Sequence, residues 1–90
     1  MGRWESTAED VVIKYDRLDG SFVKSLPLHH TQRVIEENED SITIGLKLRI
    51  TNDFVMALLS RSRSIEIIKP HSLRQRIYET LLGAIERNKI

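Results

Sequence analysis

Cysteine is absent from the 90-residue chain. That excludes a disulfide framework, a thiolate zinc site and a cysteine nucleophile, and it fits a reducing compartment. Proline occurs twice and glycine four times, too few for a linker-rich or low-complexity segment. The glycines (Gly2, Gly20, Gly45, Gly83) stand alone, so none builds a phosphate-cradling loop. Neither sign of charge dominates: 14 Lys and Arg against 13 Asp and Glu leave +1, which excludes a strongly basic nucleic-acid module and an acidic tail. Apolar runs are short, Val11-Val12-Ile13 and the one ending Met56-Ala57-Leu58-Leu59. Neither reaches the ~18 residues of a membrane span or the ~7–15 of a signal-peptide core, so no membrane contact and a cytoplasmic location are expected. Met1-Gly2-Arg3-Trp4-Glu5-Ser6 fits the loose M-G-x-x-x-S myristoylation pattern and is read as a chance match.

What is present is enough apolar residue, 40 %, for one modest core in one domain. Residues 1–9 lack periodicity and are expected to be a disordered or vector-derived end, with Trp4 docking on the body; residues 10–90 form the domain. Val11 to Asp16 is β-branched and aromatic, a strand with Val11, Ile13 and Tyr15 on one face. Leu18, Phe22, Val23 and Leu26 share a helical face, in a short helix broken at its start by Gly20 and stopped by Pro27. Thr31 to Glu36 reads as a second strand, and Glu37-Asn38-Glu39-Asp40 as a turn. Ile42, Ile44, Leu46, Leu48 and Ile50 then alternate with Thr43, Gly45, Lys47 and Arg49, a strand with one face in the core and one in water.

Thr51-Asn52-Asp53 offers helix caps before Phe54, Val55, Leu58 and Leu59. Ser64 to Lys69 is a strand closed by Pro70. Ser72-Leu73-Arg74-Gln75 matches a capping box and opens a helix with Leu73, Ile77, Leu81 and Ile85 on one stripe and Tyr78, Leu82 and Ala84 beside it. The order β-α-β-β-α-β-α predicts an α+β fold: a ferredoxin-like split β-α-β-β-α-β sandwich with an extra C-terminal helix. That helix is expected to pack on the open sheet face, pad the helical layer or await a partner. The core is expected to hold Ile44, Leu46, Leu48, Phe54, Leu58, Ile65, Ile67, Leu73 and Ile77.

Residues that could carry chemistry are few. His29 and His30 are adjacent, and on an extended segment they point to opposite sides, so both cannot ligate one metal; no third ligand stands at a metal-site spacing. The acidic run 36–40 lacks the pattern of a calcium loop. No catalytic, cofactor or metal residue is assigned, and the chain is read as not an enzyme. Thr43, Gly45, Lys47 and Arg49 provide no aromatic for base stacking, which argues against the RNA-recognition use of this fold. Arg61, Arg63, Lys69, Arg74 and Arg76 against Glu66 alone form a basic stretch, expected to split into two small patches. Anion or partner contact is expected at Arg74 with the amides at the Ser72 helix start.

Pro27-Leu28-His29-His30-Thr31-Gln32 resembles the P-x-H-x-S/T-Q segment of the C-terminal extension, or WCX, domain of WYL-type bacterial transcriptional regulators. The resemblance continues through Ile42–Ile50, Asn52-Asp53-Phe54 with Leu58-Leu59, and Ile65-Glu66-Ile67-Ile68-Lys69-Pro70 followed by Ser72-Leu73-Arg74. It covers about residues 10–88. Arg61-Ser62-Arg63-Ser64 departs from it where the family often has Gly. Pro27, His29, Gln32, Pro70 and Leu73 match family positions, and the roles implied there are structural: Pro27 ends the short helix, Gln32 satisfies a strand-edge backbone group and Leu73 is core.

The resemblance implies the last domain of a longer regulator, with subunit contacts (a dimer), a share in the effector response, and DNA bound only through an N-terminal helix-turn-helix outside this chain. A nucleotide or oligonucleotide is the candidate effector. The alternative is a free-standing small-molecule-sensing or oligomerisation domain of the same fold.

Overall fold

The computed structural model describes residues 8–90. Four strands and three helices follow in the order β1 (Glu9–Asp16), α1 (Arg17–Ser25), β2 (Arg33–Glu37), β3 (Ser41–Leu48), α2 (Asn52–Leu59), β4 (Glu66–Lys69) and α3 (His71–Arg87). The strands form one antiparallel sheet in the order β2-β3-β1-β4, the arrangement of a ferredoxin-like α+β sandwich. The long β1–β3 ladder sits at the centre, pairing Val11 with Leu46, Ile13 with Ile44 and Tyr15 with Ile42. Those six residues are buried in one core with Leu48, Val23, Phe54, Val55, Leu58, Ile67, Leu73 and Ile77. The alternation along β3 therefore points as expected; Lys47 and Arg49 lie in water, and Ile50 packs on the core from beyond the strand end. Ile65 is half-buried at the rim rather than in the centre.

Several boundaries differ from the sequence reading, for identifiable reasons. Glu9 already pairs with Leu48, so β1 starts inside the segment expected to be disordered; Trp4 and the rest of residues 1–7 lie outside the described residues. The two edge strands begin two residues late because hydroxyls take over the ladder. The Lys47 N–H donates to Thr31 Oγ1 at 3.0 Å, and that hydroxyl reaches the Lys47 carbonyl at 3.0 Å. Likewise Ser64 Oγ accepts from the Asp16 N–H at 3.1 Å and donates to Asp19 Oδ2 at 2.6 Å.

Helix α1 runs unbroken through Gly20. Asp16 caps it, its Oδ1 accepting from the Asp19 N–H at 2.8 Å. Its core face is Gly20 and Val23, while Leu18, Phe22 and Leu26, expected to face inward, are exposed. The cause is close approach. A Cβ on Gly20 would lie 2.7 Å from Ile42 Cβ, so only glycine lets the helix rest there, and that contact turns the larger side chains away. The Arg61 guanidinium covers Phe22, 5.3 Å from the ring centre, a cation–π contact.

Helix α3 starts at His71 with Pro70 as its cap, without a side-chain cap bond. The Ser72 capping box is thus not formed: the Pro70 carbonyl accepts from the Leu73 and Arg74 N–H groups at 3.2 and 3.1 Å, placing Ser72 inside the first turn. The Lys69–Pro70 peptide is cis. Leu73 and Ile77 enter the shared core and Leu81 packs at its edge, so the first half of α3 pads the helical layer, but Ile85, Tyr78 and Leu82 are exposed. The expected stripe is used for two turns and then leaves the body.

Candidate functional site

The segment Pro27–Gln32 is a compact turn whose side chains tie α1 to β3. Gln32 Nε2 donates to the Val23 carbonyl and Gln32 Oε1 accepts from the Leu28 N–H, both at 2.9 Å. It satisfies the open end of α1 and the connection after it, not a strand edge as the sequence suggested. A free carbonyl at a helix C-terminus is one of the groups a fold must satisfy. Gln32→Ala removes two bonds at once from half-buried groups and is expected to cost about 1–3 kcal/mol, read by urea unfolding; Gln32→Glu, which sets a carboxylate oxygen against the Val23 carbonyl, should cost at least as much.

Thr31 ties the same turn to β3, and its N–H donates to His29 Nδ1 at 3.3 Å. The Thr31 hydroxyl also lies 2.8 Å from Nδ1. His29 and His30 do not point apart: in this turn their ring centres are 4.3 Å apart and tilted by 32°. The expectation of opposite directions assumed an extended backbone, which the turn does not have. Among the described residues, no group of three or more His, Asp or Glu is placed to hold a metal ion.

His29 lines a groove of about 390 Å³ between this turn, the end of β3 and the start of α2. Leu28, Leu48, Phe54 and Ala57 give it apolar walls, and Arg49, Thr51 and Asp53 complete it. The Thr51 hydroxyl caps α2 by accepting from the Phe54 N–H at 3.2 Å. The groove thus offers a cation, a carboxylate and a histidine around an apolar floor, a composition that suits a small polar ligand with an apolar body. Arg49, Asp53 and Phe54 were visible in the sequence only as parts of a strand and a helix start.

Ser72 and Arg74 are not brought together. Ser72 lines a groove with Glu9, Ile50, Leu73 and Arg76, and Arg74 lines another with Glu66, Ile67, Ile77 and Tyr78. The other basic residues are dispersed as well: Arg76 donates to Asn52 Oδ1 at 3.1 Å, Arg61 lies over Phe22, and Arg63 is held by two carboxylates.

That last cluster closes the gap between α1 and β4. Arg63 reaches Asp16 at 3.1 Å and Asp19 at 2.9 Å. The Ser64 hydroxyl bond, helped by Arg63, holds the Asp19 carboxyl below its ordinary value of 3.8. A carboxylate with a depressed folded value adds stability above the unfolded value and loses it as pH falls through the folded one. Unfolding measured from pH 5 downward should therefore show stability dropping through the range below 3.8, and Asp19→Asn should lower stability at neutral pH while flattening that acid limb. Beneath the cluster Tyr15 is buried, and burial, with the Asp19 charge, pushes its phenol up to about 12. Its hydroxyl has no hydrogen-bond partner among the described residues.

No helix among the described residues is long and apolar enough to cross a membrane. Compared with known families, the chain matches the model of the WCX domain over residues 7–85. No curated protein matches it.

Proposed function

The chain belongs to the WCX domain family, and from that premise we propose that it is the C-terminal regulatory and dimerisation domain of a WYL-type helix-turn-helix transcriptional regulator, acting in the cytoplasm. The observation that carries the reading is the extent of the match, residues 7–85, over a fold in which Pro27, Gln32, Pro70 and Leu73 serve structure. Pro27 follows the end of α1, Gln32 staples that end, Pro70 caps α3 and Leu73 fills the core. The domain works by binding and by subunit contact, not by catalysis. DNA is read by a helix-turn-helix elsewhere in the regulator.

The groove around His29, Arg49 and Phe54 is the effector-facing surface in this reading. The small-molecule-sensing alternative would use the same groove without a DNA-binding partner domain. In the intact regulator, deleting this domain should weaken operator binding, through the lost subunit contacts, and abolish its change with effector; an unchanged effector response overturns the proposal. By itself the 90-residue chain should bind single-stranded DNA and mononucleotides only weakly at ~150 mM salt, where exposed charges more than ~8 Å apart are screened. Submicromolar, length-dependent binding would instead make this domain the nucleic-acid sensor.

A further inference from the structure

The groove beside His29 carries two opposite charges that do not neutralise each other. Arg49 follows the end of β3, Asp53 stands in the first turn of α2, and both line the groove. Among the described residues neither takes part in an ion pair, so their charged ends stand more than 4.0 Å apart. The charges around α1 behave differently: Arg17, Lys24 and Arg63 each meet a carboxylate within 3.1 Å. Most of the remaining wall is apolar, with Leu48 and Phe54 buried and Ala57 half-buried. The Thr51 oxygen accepts from the Phe54 N–H, and its O–H has no acceptor among the described residues, so the groove also holds an unused hydroxyl donor.

We propose that the groove takes a free α-amino acid with an aliphatic side chain. The Arg49 guanidinium binds its carboxylate, the Asp53 carboxylate binds its ammonium group, and Leu48, Phe54 and Ala57 receive its side chain. Charge-assisted bonds of this kind are the strong ones. Each protein charge also works against a simpler ligand. An anion drawn to Arg49 meets Asp53 in the same groove, and a cation drawn to Asp53 meets Arg49. A molecule carrying both signs on one carbon satisfies both, and the like-charge contacts supply the discrimination against the rest. A mononucleotide, whose phosphate charges have no cation beside them, is disfavoured for that reason.

The volume points the same way. The groove's 390 Å³ lies toward the lower end of the ~300–1,000 Å³ found for small-molecule sites, which suits a ligand of this size. Ala57 contributes only a methyl group to the wall and so leaves the space open. The inference rests on the reading of this groove as the effector-facing surface and names the chemistry of the effector.

Titration of the isotope-labelled 90-residue chain with L-leucine, followed by NMR, tests it, because amide shifts report both affinity and place. L-Leucine should shift the amides around Arg49, Asp53 and Phe54 with a Kd below about 1 mM. Its two single-charge analogues, isoamylamine and isocaproate, should each bind at least about tenfold more weakly. Arg49→Gln should weaken leucine by a similar factor without weakening the amine, and Asp53→Asn should do the same without weakening the carboxylate. Ala57→Leu, which keeps a good helix former and fills the groove, should abolish binding; the spectrum of each variant shows whether it is folded. Leucine that binds no better than its analogues, or that shifts no groove amide at about 10 mM, overturns the inference. A mononucleotide that binds there instead, and is lost with Arg49→Gln, overturns the ligand class while leaving the groove standing as the effector surface. The domain-deletion test of the regulator is independent of these results, so the two readings fail separately.

Discussion

Leu46→Ala is expected to remove about 2–5 kcal/mol of folding stability, a large share of the ~5–15 kcal/mol available to a domain. Leu46 lies at the middle of β3, completely buried, and is paired with Val11 on the central ladder. Both adjacent strand residues on its face, Ile44 and Leu48, are buried too. The rigid sheet therefore has little freedom to collapse into the space left by the missing side chain, which favours the upper part of the range. Chemical denaturation reads the loss as a lower midpoint at unchanged slope. A cost under about 1 kcal/mol would mean that this face of β3 is not the core.

Gly20→Val should be comparably damaging, and the smaller change Gly20→Ala decides the mechanism. Helix propensity alone predicts that alanine stabilises α1 by about 1 kcal/mol. Against it stands the Ile42 side chain, with three atoms between 2.7 and 3.0 Å from the position a Cβ would take. Ile42 is fully buried and has no solvent to move into, so overpacking, typically about 1–3 kcal/mol, outweighs the helix gain. Gly20→Ala is expected to be destabilising despite its propensity, and Gly20→Val to reach about 3 kcal/mol or more. Thermal unfolding distinguishes the two effects: a higher midpoint for Gly20→Ala would mean that α1 can lift off the sheet. Restoring space with Ile42→Val should rescue part of the loss in the Gly20→Ala background, since the two sites share one contact.

The strand content, the order of elements and the buried face of β3 were readable from residue order, because side chains alternate along a strand whatever surrounds it. So was the Thr51 cap, which acts within four residues. The orientation of α1 was not. Two apolar sets share that helix, Leu18, Phe22 and Leu26 on one side and Gly20 with Val23 on the other, and hydrophobicity favours the larger set. Only the presence of Ile42 beneath Gly20, a residue distant in sequence, makes the small set the inner one. The same holds for the late starts of β2 and β4: the Thr31 and Ser64 hydroxyls replace backbone pairing only because Lys47 and Asp16 come within 3.0 and 3.1 Å.

The candidate site divides along the same line. The Pro27–Gln32 motif could be recognised in the sequence, but its function as a staple of α1 depends on where the helix ends in space. The Ser72 cap failed because Pro70 starts the helix earlier, and Ser72 and Arg74 then open onto different grooves. Local periodicity acts over a few residues and survives any context. The groove beside His29 and the Arg63 lock on two aspartates are properties of strand register and helix placement, which arise only when remote segments meet.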